Sequence, residues 1–74
     1  MNVKEILELV AETIEYEGNL QLDQKIEDIE EWDSLGVLSI VSMLDSMNIS
    51  VNFEELEEIT SVEDFVKLTG IKDE

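Results

Sequence analysis

The sequence predicts an all-α fold: a four-helix bundle of three main helices and one short helix, with a long first connection, in a single domain over residues 1–74. Two observations carry this. Apolar residues recur at the spacing of a helix face in four segments, and each segment follows an Asn, Ser or Thr suited to capping a helix start. Between the first and second segments lies a stretch with no sustained helical stripe. A connection of that length is uncommon in a compact domain and is more often functional than incidental.

In the first helix, Asn2 is followed three residues later by Glu5 in the pattern of a capping box, and Val3, Ile6, Leu7, Val10 and Ile14 form the apolar face. The helix is expected to stop near Tyr16, because Gly18 and Asn19 tolerate the left-handed conformation that follows a helix end. From Leu20 to Asp33 the chain reads as an ordered loop with one helical turn, in which Leu22, Ile26, Ile29 and Trp32 are spaced to drop anchors into a core.

The second helix is the most apolar segment. Leu35, Val37, Leu38, Ile40, Val41, Met43, Leu44 and Met47 cover more than one stripe, which predicts a central position. Ser34 is the expected N-cap, with Asp33 beside it complementing the positive end of the helix dipole, while Gly36 weakens the first turn slightly. Asn52 and Glu55 repeat the capping signature ahead of a short helix that carries Phe53, Leu56 and Ile59 inward. Thr60 or Ser61, with Glu63 or Asp64 in the third place, opens a last helix bearing Val62, Phe65, Val66 and Leu68 and ended by Gly70.

Composition bounds the function. The 74 residues include 4 Lys+Arg, 20 Asp+Glu, no His and no Cys, for a formal net charge of −16. Zinc sites, His-assisted catalytic dyads or triads and disulfides are thereby excluded. Nucleic-acid binding is argued against as well, because phosphate neutralisation needs clustered cations, and Lys4, Lys25, Lys67 and Lys72 are scattered. A calcium loop built around Gly36 fails, since Leu35 and Ser42 stand where ligands belong. Carboxylates are so abundant that no pair marks an acid–base dyad, and Glu54, Glu55, Glu57 and Glu58 read as a solvated helix face, so no enzyme is expected.

The hydrophobic share of 43% falls at regular spacings, which favours a folded domain over an acidic tail. A core this small supplies little more than ~3–5 kcal/mol. Repulsion among the acidic groups predicts that salt or a divalent cation raises stability, and the same charge steers the chain toward basic patches on partners. A monomer in the cytoplasm without membrane insertion is expected, as the sequence shows neither a secretory leader nor an apolar run approaching the ~20 residues that span a bilayer.

The segment Trp32-Asp33-Ser34-Leu35 places a hydroxyl at the start of an apolar helix, behind a dense acidic loop. Ser34 reads as a plain N-cap or as an attachment point, and a tripeptide such as Asp-Ser-Leu arises by chance in so short a chain on the order of a few per cent of the time. Its setting adds weight. The chain resembles, from end to end, the acyl carrier protein family, in which the Ser of a D-S-L motif heads the second helix. The likeness covers the small acidic format, the Ile26-Glu27-Asp28-Ile29 approach to Asp33-Ser34-Leu35, the apolar second helix, the acidic short third helix and the Ile59-Thr60-Ser61-Val62 entry to the last helix.

The resemblance implies a 4'-phosphopantetheine arm, donated by coenzyme A and attached to Ser34 by a phosphopantetheinyl transferase that reads Asp33 and Leu35. It implies a carrier, not an enzyme, that holds acyl groups as thioesters for acyl-transferring or acyl-modifying enzymes with basic patches, in lipid, polyketide-like or cell-envelope biosynthesis. The absence of cysteine fits, because the thiol comes with the arm. Val37, Val41, Leu44, Val51, Ile59 and Phe65 read as walls of an acyl cleft or as ordinary core. Leu35, Leu38, Trp32 and Asp45 are the expected partner contacts, and Trp32 reads equally as a cap on the core.

The sequence departs from the family where Gly36 and Ser39 replace acidic residues common in the first turns of helix two. The turn Asp45-Ser46-Met47-Asn48 is also a residue shorter than the commonest pattern, with Met47 where an aromatic is frequent. A specialised carrier is therefore expected over a housekeeping one. An aminoacyl carrier, for example of D-alanine, belongs to the same class; an unmodified acidic adaptor that docks through helix two is the alternative from another class.

Overall fold

The computed structural model describes residues 2–72, which form four helices: α1 (Val3–Thr13), α2 (Ser34–Ser46), α3 (Phe53–Glu58) and α4 (Val62–Thr69). No β-strand occurs among the described residues. The small all-α fold is as expected, and so are the local signals that start α1 and α3. The Asn2 side chain accepts the Glu5 N–H at 2.8 Å while the Glu5 carboxylate accepts the Asn2 N–H at 3.4 Å. At α3 the Glu55 carboxylate accepts the Asn52 N–H at 3.3 Å. Each bond satisfies a donor that a helix start leaves without an intrahelical partner.

The end of α1 differs from expectation. The helix stops at Thr13, with Ile14 as C-cap, and the left-handed residue that closes it is Glu15 (φ 59°), not Gly18 or Asn19. The Glu15 N–H donates to the Glu12 carbonyl at 3.2 Å and the Tyr16 N–H to the Ala11 carbonyl at 2.8 Å, the paired bonds of a Schellman motif. A left-handed non-glycine costs roughly 1–2 kcal/mol, which these two bonds and the burial of Ile14 offset. Gly18 is also left-handed, at φ 106°, but it turns the connection that follows. The end of α2 repeats the motif with Asn48 (φ 63°), whose N–H donates to Asp45, while the Ile49 N–H donates to Leu44.

Residues 14–33 cross the molecule as an ordered connection with a short 3₁₀ turn at Ile26–Asp28. Leu20, Ile29 and Trp32 are its buried anchors and Ile26 is partly buried, whereas Leu22 stays 41% exposed. The expectation for Leu22 is corrected by its backbone role. The Leu22 carbonyl accepts the Glu63 N–H at 3.1 Å and the Gln24 carbonyl the Val62 N–H at 3.0 Å, while the Ile26 N–H donates to Thr60 at 2.9 Å. The connection thus supplies acceptors to the orphan donors of the first turn of α4. With Leu22 held there, Leu20 fills the interior instead.

The centre of the core is made by Ile6, Val10, Val37, Ile40, Leu44, Leu56, Val62 and Phe65, with no buried polar or charged residue among the described ones. Helix α2 packs against both α1 and α3, which agrees with its expected central place. Trp32 closes the side reached by the connection. Its ring stands edge-on to Phe65, with centroids 5.4 Å apart and planes at 81°, and its indole N–H points at the Leu56 carbonyl 3.5 Å away. Burying both the ring and the one polar atom it carries in this way is favourable.

Candidate functional site

The residues singled out at the head of α2 take different parts from those their types suggested. Asp33, in extended backbone conformation (φ −108°, ψ −173°), is the N-cap: its carboxylate accepts the Gly36 N–H at 2.8 Å and its carbonyl the Val37 N–H at 2.8 Å. Ser34 is therefore the first residue of the helix and not its cap, correcting the expectation. A cap must be extended while its side chain folds back over the first turn, and only one residue can do this. With that position filled by Asp33, the Ser34 hydroxyl is exposed and makes no hydrogen bond among the described residues.

Beside the serine, Leu35 is 76% and Leu38 54% exposed, the two large apolar side chains that α2 turns to solvent. The same helix exposes Ser39, Ser42, Asp45 and Ser46, and Asp45 is its one charged residue. In a chain of net charge −16, the outer face of α2 is almost neutral. Trp32 does not join it. Only 9% exposed and held by Phe65 and Leu56, its ring packs in the core, which agrees with its expected place as an anchor of the connection.

Gly36 is the residue that sequence reasoning undervalued. It is buried, and a Cβ built on it would overlap the Glu31 carbonyl and lie 3.3 Å from the Ile14 side chain and 3.4 Å from the Asp33 carboxylate. An isolated glycine inside a helical pattern was the available signal. Of the six residues considered as cleft walls, Val37, Leu44, Val51 and Phe65 are buried in the core, and Val41 and Ile59 are partly buried against it. Val41 and Val51 line, with Asp45, a shallow hollow of about 310 Å³ beside the second half of α2. A larger groove of about 620 Å³ runs between α1 and the connection over Leu7, Ala11 and Leu20. Neither has Ser34 in its walls.

Chemically, this arrangement offers an exposed primary hydroxyl at the first residue of α2, next to an apolar step. Among the described residues no cluster of three His, Cys, Asp or Glu is placed to hold a metal ion, and no helix is long and apolar enough to cross a membrane. In comparisons with known proteins, no family model, no curated protein and no solved structure matches this chain.

Proposed function

We propose that the protein is a carrier that holds acyl groups on a 4'-phosphopantetheine arm joined to Ser34 and delivers them to partner enzymes. The observation that supports this most is the free hydroxyl of Ser34: an aspartate caps α2 in its place, so modification at the serine breaks no bond of the fold. The Asp-Ser-Leu sequence at the head of the second of four helices, the feature behind the resemblance to acyl carriers, supports it as well.

The exposed residues suit the attachment of such an arm. In the transfer, the Ser34 oxygen attacks the phosphorus of coenzyme A nearer to pantetheine and the pyrophosphate linkage breaks. Adenosine 3',5'-bisphosphate leaves, and the serine proton passes to the transferase. The arm, when bound, supplies the thiol that this cysteine-free chain lacks and carries cargo as a thioester. The chain itself contributes a tether of high effective concentration and an address. Leu35 and Leu38 form the apolar part of that address, and the near-neutral face of α2 favours a specialised set of partners.

The test is an intact mass after incubation with coenzyme A and an excess of a broad-specificity phosphopantetheinyl transferase, with Ser34→Ala alongside. A gain of one phosphopantetheine on the unsubstituted protein alone is expected. No gain, or the same gain on Ser34→Ala, would overturn the proposal. The reading left is then the adaptor, for which the exposed Leu35 and Leu38 speak.

A further inference from the structure

We propose that Gly36 is a positioning residue for Ser34: the absence of a side chain there keeps the helix cap on Asp33 and so leaves the serine hydroxyl free. The consequence for modification rests on the carrier reading; the geometry does not.

Gly36 lies in the first turn of α2. Left-handed backbone, which the structure shows at Gly18 and Gly70, is not the reason for a glycine here. In helical backbone an alanine would be preferred. The reason is space. Three parts of the molecule converge on this α-carbon: the Glu31 carbonyl of the turn before α2, the Ile14 side chain from the end of α1, and the Asp33 carboxylate. The nearest of these is a backbone oxygen, which cannot swing aside as the tip of a flexible side chain can.

The displacement that a methyl group would force has one outlet. Between Glu31 and Asp33 stands Trp32, fixed by the edge of its ring on Phe65 and by its N–H at Leu56. The shift must then be taken up at Asp33, whose carboxylate loses its hold on the N–H of residue 36. Ser34 is the next residue of a type that caps well. By turning extended and accepting a hydrogen bond from the first turn, its hydroxyl replaces the aspartate. The helix then starts one residue later, and the hydroxyl is both committed and displaced.

Gly36→Ala, Asp33→Ala and Asp33→Asn test this against the unsubstituted protein. The readouts are the thermal midpoint, hydrogen exchange of the amide at position 36, and the rate of arm transfer from coenzyme A, separated into kcat and KM. For Gly36→Ala the midpoint falls, although alanine in an open helix position would raise it. The amide at position 36 loses its protection, and transfer slows by about tenfold or more with the KM for coenzyme A unchanged. Asp33→Ala loses the same protection and Asp33→Asn, which also caps well, restores it. A midpoint equal or raised in Gly36→Ala, with that amide still protected and transfer undiminished, overturns the proposal. Should Gly36→Ala fail to fold, Asp33→Ala decides: lost protection and slowed transfer support the proposal, and retention of both overturns it. Should the unsubstituted protein accept no arm, the carrier reading fails, and protection at position 36 in Gly36→Ala still decides the geometry, retention overturning it and loss supporting it.

Discussion

The starts of α2 and α4 use the same two residue types in opposite ways. At α4, Ser61 is the N-cap: its hydroxyl accepts the Asp64 N–H at 3.2 Å, and the Asp64 carboxylate reaches back to the Thr60 N–H at 3.4 Å and the Thr60 hydroxyl at 3.2 Å. At α2 the aspartate is the cap and the serine is left with a free, exposed hydroxyl. A serine at a helix start is thus structural or available according to whether the residue before it has already taken the cap. Thr60, which precedes Ser61, has its hydroxyl turned to Asp64 and its carbonyl bonded to Ile26, so the capping falls to the serine.

The largest effect is expected where the two starts are tied together. Trp32, just before the α2 cap, stands edge-on to Phe65 of α4. Removing that ring with Phe65→Ala should cost ~3–5 kcal/mol, about all that a core of this size supplies. The variant should be largely unfolded in far-ultraviolet circular dichroism at room temperature. A cooperative urea transition close to that of the unsubstituted protein would mean instead that the two helix starts are held independently.

A smaller effect separates the two serines themselves. Ser61→Ala removes a working cap and should cost ~1 kcal/mol, lowering the thermal midpoint by roughly 4–8 °C. Ser34→Ala removes a hydroxyl with no hydrogen bond and should stay within about 0.5 kcal/mol while abolishing arm attachment. Equal losses of stability from the two changes would erase the distinction.

The smallest effect is electrostatic and belongs to α4. The Thr60 N–H, and after it the Thr60 hydroxyl, hold the Asp64 carboxyl below its ordinary value of 3.8. A carboxyl lowered on folding contributes stability that is present above its unfolded value and lost as pH falls through the lower folded value. Thermal midpoints of Asp64→Asn should therefore lie below those of the unsubstituted protein at neutral pH, and the gap should close as the pH drops below 3.8. A gap that does not change with pH would show that the carboxylate's charge has no part in holding Thr60.

Much of the α-helical layout was legible because its signals are local. The capping pairs Asn2 with Glu5 and Asn52 with Glu55 lie three residues apart, and Ser61 with Asp64 does the same at α4. The apolar faces of α1 and α4 likewise repeat at helical spacing, and their buried members Ile6, Leu7, Val10, Phe65 and Val66 are among those expected. What was misread or left open depends on neighbours distant in sequence. Leu22 is exposed because its backbone serves α4, 40 residues on, and Trp32 is buried because Phe65 and Leu56 meet it. At the candidate site the same division holds. The Asp33-Ser34-Leu35 segment and the exposed leucines were visible in the sequence, but the choice between two good caps was not.

By itself the sequence determined four helices, their starts to within a residue, and an acidic chain with no imidazole or thiol of its own, because propensity, capping and titratable content are properties of short segments. Only the tertiary structure decided that Asp33 caps α2 and that Ser34 is free. That choice is made where the Glu31 carbonyl and the end of α1 close over a glycine, and their positions are set by burial of Trp32 and Ile14 in a shared core.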